Sequence, residues 1–322
     1  EYSYGILETL NLFIPKFMGG ASSDRISEDS KLMDFIKTLD PSQAQQVYQY
    51  SRLYWGDQPI VAAPAYIGAS ILFIFFLGLF LVKSINMRWL LPSIILSVLL
   101  SWGKNFELLT NLMIDYFPFY DKFRAVSSIQ IILEFCIPLV AVFAIHKFFS
   151  NKVEEKIKLK TLYLVVSICF ILTLFIYLFG SDLFDFRSNF EIFSQYPDIL
   201  NLLIEDRKSL MKADSLRSLI ILVLLFGILI SYLKNILNKN IAIYGVIMLV
   251  LFDLWSINKQ YVNADQFVKK SNLQIPFKIT NADKAILQDK TDFRVFEPQR
   301  GFSNARTSFF HKSIAGYHAA KP

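Results

Sequence analysis

Long apolar runs alternate with short polar connections along this chain, and the spacing of the two predicts a bundle of membrane-crossing helices. A helix of about 20 apolar residues spans the hydrocarbon core of a bilayer. Six runs approach that form: 61–82, 89–101, 128–146, 161–180, 216–233 and 241–255. The second and sixth are short, which fits tilt mismatch, local thinning or burial among neighbours. Trp89 and Trp102 bracket the second run as interfacial anchors do. The expected fold class is therefore all-α and polytopic, with interfacial helices. Residues 1–60 precede the bundle at 61–257, and a tail at 258–322 is expected to begin a β-rich domain.

Composition supports that pattern. Hydrophobic residues make up 54% of the chain and charged residues only 19%, and mean hydropathy is +0.40. A soluble domain of this length carries more charge. The net charge of +6 does not point to nucleic acid, because Lys and Arg fall mainly between the apolar runs. Cys136 and Cys169 lie inside apolar runs and read as small buried hydrophobes. Glu1 in place of Met, and Ala320-Lys321-Pro322 at the other end, lead us to expect a piece of a longer protein.

Short basic loops set the orientation. Lys83 and Arg88 follow the first run, Lys147, Lys152, Lys156, Lys158 and Lys160 follow the third, and Lys234 and Lys239 follow the fifth. These connections alternate to one side, the cytoplasmic one by the positive-inside rule. Residues 1–60, 102–127, 181–215 and the tail then lie outside.

Chemistry concentrates in the second of these outside segments. Lys104, Glu107, Asn111 and Asp115 recur at spacings that place them on one helix face. That face is either plainly solvated or the rim of a cavity, above an apolar side carrying Phe106, Leu109, Met113 and Phe117. Pro118 ends the helix. Tyr120, Asp121, Lys122, Phe123 and Arg124 follow, just before the third run. Cations among aromatics at headgroup depth suit a lipid phosphate, with Arg binding through paired hydrogen bonds and Lys as a point charge. Equally, they could anchor the helix end by snorkelling. Below them Ser127, Gln130, Glu134 and Pro138 form a stripe into the membrane. An ionisable group at the depth of Glu134 is costly unless it faces a cavity or a partner.

Other signals are weaker. Glu8 lies in an interrupted apolar stretch suited to a re-entrant or interfacial segment. Residues 181–215 read as amphipathic surface helices. His311 and His318 are seven apart, with no third ligand at a recognisable spacing.

Several stretches, in order, resemble the YfhO family of bacterial membrane proteins. They are Glu8 with Pro15 and Gly19-Gly20, Tyr54-Trp55-Gly56 with Pro59, the run Phe117 to Ala125, and Asn304 to Tyr317. The resemblance implies a GT-C-type glycosyltransferase in the bacterial cytoplasmic membrane. Its donor would be a polyprenyl-phosphate-linked sugar, and its acceptor a glycan or envelope polymer outside the membrane. It also implies that the catalytic carboxylate lies in the first outside loop of the full protein, beyond this chain. Arg124 and Lys122 are then the expected phosphate ligands, with Tyr120 beside them and Asp121 orienting Arg124. Glu134, Glu8, Glu107 and Asp115 are second-rank candidates for a divalent cation, the acceptor or the cavity wall. Two other readings stay open: a protein that binds or moves a lipid-linked glycan without chemistry, and a structural subunit of an envelope assembly.

Overall fold

The computed structural model describes residues 2–264, 267–273, 277–299, 301–302 and 305–316. It divides into a unit at Glu1–Tyr261 and a second at Val262–Pro322.

In the first unit, two short helices come first, α1 (Lys31–Ile36) and α2 (Pro41–Tyr50). Ser30 caps α1 by accepting from the Met33 amide at 3.0 Å, and Pro41 opens α2, where its missing N–H costs nothing. The apolar helices follow: α3 (Ala69–Leu81), α4 (Met87–Ser101), α6 (Gln130–Phe148), α7 (Glu155–Leu183), α8 (Pro197–Leu233) and α9 (Lys239–Tyr261), with α5 (Glu107–Tyr116) between α4 and α6. α6 with its lead-in turn, α7, α8 and α9 are each long and apolar enough to cross a membrane.

α3 and α4 are shorter, 13 and 15 residues, or about 20 and 22 Å at 1.5 Å per residue. The apolar run at 61–82 is helical only from Ala69. Residues 61–68 are not helical: Pro64 has no amide to donate, and Gly68 takes φ +114, a conformation open to glycine. Its absent Cβ also leaves room for the Asp253 carboxylate and Leu254.

The largest departure from the sequence pattern is α8. Of the surface helices expected in 181–215, the part from Pro197 joins the run at 216–233 in one 37-residue helix, about 55 Å long. No Gly or Pro interrupts it between Pro197 and Gly227. Its buried positions, Leu200, Leu203, Arg207, Met211, Ser215, Ser218, Leu222, Leu225 and Leu229, recur every three or four residues along its length. The helix is longer than a hydrocarbon core of about 30 Å, and its continuous apolar run lies in its second half while the first turns are more polar. There Leu200 and Leu203 pack with Ile26, Leu32, Ile36, Val47, Leu53 and Phe193 into a small second core. α3 packs on α6, α7 and α8; α7 packs along α8, and α9 against α8.

Both cysteines are buried with free thiols, as small hydrophobes would be. In the second unit, α11 (Asn281–Gln288) starts from a capping box between Thr280 and Asp283. Short helices α10 (Lys270–Leu273) and α12 (Ala305–Phe310) flank it. Among the described residues this unit contains no strand, only an isolated parallel bridge between Val295 and Ser313. Asn304, Tyr317, His318 and Lys321 lie outside the described residues.

Candidate functional site

The site is built on a segment that periodicity does not mark. Residues 2–5 run extended between the end of α4 and the turn before α6. The Tyr2 amide donates to the Arg124 carbonyl at 3.1 Å, and the Ser127 amide donates to the Tyr2 carbonyl at 3.2 Å. The Tyr4 amide donates to the Ser101 carbonyl at 2.8 Å, and Asn105 Nδ2 to the Tyr4 carbonyl at 2.9 Å. A 3-10 turn, Leu7–Leu12, follows. Trp102, expected as an interfacial anchor, also donates its indole N–H to Thr9 Oγ1 at 2.9 Å, pinning that turn to α4.

Glu8 projects from this turn and is 1% exposed. It accepts a short hydrogen bond from the Tyr54 hydroxyl and another from the Gly5 amide at 2.6 Å. The Tyr54 oxygen accepts in turn from the Gln58 amide at 3.0 Å. Burial raises the Glu8 carboxyl above its ordinary range, against the opposing pull of Tyr54 and the Gly5 amide. Burial and the Glu8 charge also push the Tyr54 phenol up.

Glycines make this closeness possible. A Cβ on Gly56 would strike Glu8 and the Tyr54 hydroxyl, and one on Gly19 would strike the Leu53 carbonyl. Gly19 also sits at φ +88, where other residues are strained. Glu8, Gly19 and Tyr54-Trp55-Gly56 are therefore parts of one packed unit, closed by Trp55 against Phe186 with ring centres 4.8 Å apart.

Tyr4 was not marked by sequence. It is buried, and its hydroxyl lies toward the Asn11 and Gln130 amides without closing a hydrogen bond. Burial, then the Glu8 charge, push its phenol up, with a smaller push from Glu134. Tyr4 thus lies between Glu8 and the stripe on α6. Within that stripe Gln130 is buried and reaches Ser101 Oγ at 3.4 Å, while Glu134 is exposed.

The Tyr120–Arg124 turn forms the rim. Phe119, in the left-handed region at φ 64, reverses the chain after Pro118. Lys122 and Asp121 pair at 3.0 Å, both largely exposed. The Arg124 guanidinium lies 5.7 Å from the centre of the Tyr2 ring. Tyr120 is half-buried with an unpartnered hydroxyl, and burial raises its phenol. On α5, Glu107, Asn111 and Asp115 are exposed, as is Lys104 before them.

Directly after Glu8, Thr9, Leu10, Leu12, Phe13 and Ile14 help line an apolar cavity of about 340 Å3 between α3 and α7, walled also by Leu72, Phe76, Leu172 and Ile176. Among the described residues no three His, Cys, Asp or Glu side chains lie together as a metal-ion ligand set.

A further polar centre ties α3, α8 and α9. Asp253, fully buried, accepts from Tyr66 at 2.5 Å, from the Ser70 amide and hydroxyl at 3.0 and 2.7 Å, and from Arg217 at 3.0 Å. Arg217 donates also to Ser256 Oγ at 2.6 Å. The signal was present in the sequence: each is a lone charge inside an apolar run.

No protein-family model matches this chain, and no curated protein or solved structure matches it with significance.

Proposed function

We propose that this chain is the carrier-binding part of a GT-C-like glycosyltransferase, which moves a sugar from a polyprenyl phosphate to an acceptor outside the bacterial cytoplasmic membrane. In this reading α3 and α4 also cross the layer, making six spans. The 83–88, 147–160 and 234–240 connections face the cytoplasm, and the tail from 258 lies outside.

One observation carries the proposal: a single segment, Tyr2–Ile14, touches all three parts that such a site needs. Tyr2 lies beneath Arg124 at the rim, Glu8 is the buried carboxylate, and Thr9, Leu10, Leu12, Phe13 and Ile14 line the apolar cavity. Arg124 and Lys122 would hold the carrier phosphate and stabilise its charge as the sugar leaves. The cavity would take the isoprenoid units next to it. The base that deprotonates the acceptor would come from the first outside loop of the full protein, as the resemblance to YfhO proteins implies. Glu8, Glu107, Asp115 and Glu134 are secondary in this scheme. Glu8 acts as a positioning residue, since a carboxylate with 1% exposure cannot meet an acceptor directly.

That same burial favours a second reading, in which the protein binds or moves a lipid-linked glycan without chemistry. A donor-hydrolysis assay on the full-length protein separates the two. The glycosyltransferase reading expects turnover in wild type and a loss of at least tenfold in Arg124→Ala. Absence of turnover with carrier binding intact selects the second reading, and unchanged turnover and binding in Arg124→Ala removes the phosphate assignment.

A further inference from the structure

A second polar cavity, of about 700 Å3, lies between the chain at 16–31 and the facing parts of α7 and α8. It shares no lining residue with the Tyr120–Arg124 turn. Five basic side chains border it, Lys16, Arg25, Lys31, Lys208 and Lys212, against three carboxylates, Asp29, Glu205 and Asp206. Lys16 is drawn to a fourth carboxylate, Asp214, just outside the lining, so the surplus is one positive charge. Two of the carboxylates are already engaged. Glu205 pairs with Lys31 at 2.7 Å, and Asp206 accepts from the Lys31 and Leu32 amides at 3.1 and 3.4 Å.

With Lys31 paired to Glu205 and Lys16 drawn to Asp214, the remaining cations on the cavity wall are Arg25, Lys208 and Lys212. Arg25 is steadied by the carbonyls of Ser22 and Ser23 at 3.3 and 3.2 Å. Lys208 lies 5.8 Å from the centre of the Phe186 ring. Lys208 and Lys212 are one helical turn apart on α8 and so share a face. Ser181, on α7, lines the same cavity; it is only 8% exposed, and its hydroxyl has no hydrogen-bond partner. A buried donor left unpaired carries a desolvation cost that a ligand oxygen would remove.

Depth identifies the ligand's chemistry. The apolar run of α7 ends at Gly180, next to Ser181, and that of α8 begins at Leu216, one turn beyond Lys212. The cavity thus sits at the level where both helices leave the apolar layer, the level of lipid phosphates. Phe179, Leu183, Leu216 and Ile220 are exposed beside these ends, an apolar flank of the kind acyl chains cover. We infer that this cavity binds a phosphate-bearing anion through Arg25, Lys208, Lys212 and the Ser181 hydroxyl, independently of the Arg124 rim.

The test uses full-length protein in neutral detergent, with thermal midpoint followed against three additives: phosphatidylglycerol, phosphatidylcholine and inorganic phosphate. Wild type should gain stability with phosphatidylglycerol and not with phosphatidylcholine. The half-maximal concentration should rise roughly fivefold in Lys212→Gln and roughly 25-fold in Lys208→Gln/Lys212→Gln, as expected for basic side chains near a membrane surface. Lys212 is exposed, so its single variant keeps the inference testable if loss of Lys208 disturbs packing on Phe186. A response to phosphatidylglycerol alone identifies a lipid headgroup, and an equal, Lys212-sensitive response to inorganic phosphate identifies the free anion. Arg124→Ala should leave either response unchanged, which separates this site from the carrier site. The inference is overturned if the two lipids act alike and phosphate is inert, if Lys212→Gln responds as wild type, or if Arg124→Ala abolishes the response.

Discussion

The Tyr54 hydroxyl donates to the Glu8 carboxylate across 46 residues of sequence, and that bond fastens the first turn of the chain to the segment leading into α3. Tyr54→Phe removes this donor and also leaves the Gln58 amide without its acceptor. Loss of a buried partner costs about 1–3 kcal/mol, to be read as a fall in unfolding free energy in detergent.

The pH dependence of that loss has a definite sign. Because burial raises Glu8 in the folded state, its contribution is fully present below the ordinary carboxylate value of 4.5. It is lost as pH rises through the folded value. Tyr54 counters this by stabilising the ionised form. The Tyr54→Phe penalty should therefore grow from pH 5 to pH 8, and a penalty that shrinks over that interval would show that Glu8 is not the group involved.

Asp283 in the second unit behaves oppositely. Arg306 holds its carboxyl well below the usual range, with help from Thr280 and His311. The stability it contributes is present above about pH 4, the ordinary range for aspartate, and is lost on stronger acidification. Asp283→Asn should weaken amide protection in α11 at neutral pH and flatten its acid sensitivity, as read by hydrogen exchange on the whole protein.

Arg217, part-buried, and Asp253, fully buried, form an ion pair whose single and joint removal should differ in cost. Taking away Arg217 should cost about 3–5 kcal/mol, because the Asp253 charge is left buried without its cation. Asp253→Leu with Arg217→Met should cost less than either change alone. Unfolding of the two single variants and the double variant gives the coupling, and simple additivity would contradict this account.

In the proposed topology α6 crosses the membrane, with its two ends on opposite sides. A cysteine introduced at Asn111 should react with an impermeant reagent added outside intact cells, and one at Asn151 should react only after permeabilisation. Equal labelling of both would remove the orientation drawn from Lys147 to Lys160.

What the sequence made legible follows from what periodicity encodes. α6 with its lead-in turn and α7 cover the runs at 128–146 and 161–180, because a helix that must satisfy its backbone in lipid leaves a long, mainly apolar record. α8 was divided into pieces because its polar first half and apolar second half differ in composition, although one buried stripe runs through both. The site was harder to read. Glu8 with Tyr54, and Tyr2 with Arg124, are long-range pairings that no local spacing records, and Tyr4 is an unremarkable aromatic until Gln130 and Glu8 surround it. Arg217 and Asp253 could have been found from their cost in an apolar run, the same reasoning that singled out Glu134.

The most direct measurement is photo-crosslinking of the full-length protein with a polyprenyl phosphate bearing a photoreactive group on its first isoprene units. The adducts should fall on the cavity between α3 and α7, at Phe76, Leu172 or the Leu10–Ile14 turn, and Arg124→Ala should reduce them at least tenfold. Adducts scattered over the outward faces of α7 and α9, or cavity labelling that Arg124→Ala leaves intact, would contradict the carrier site.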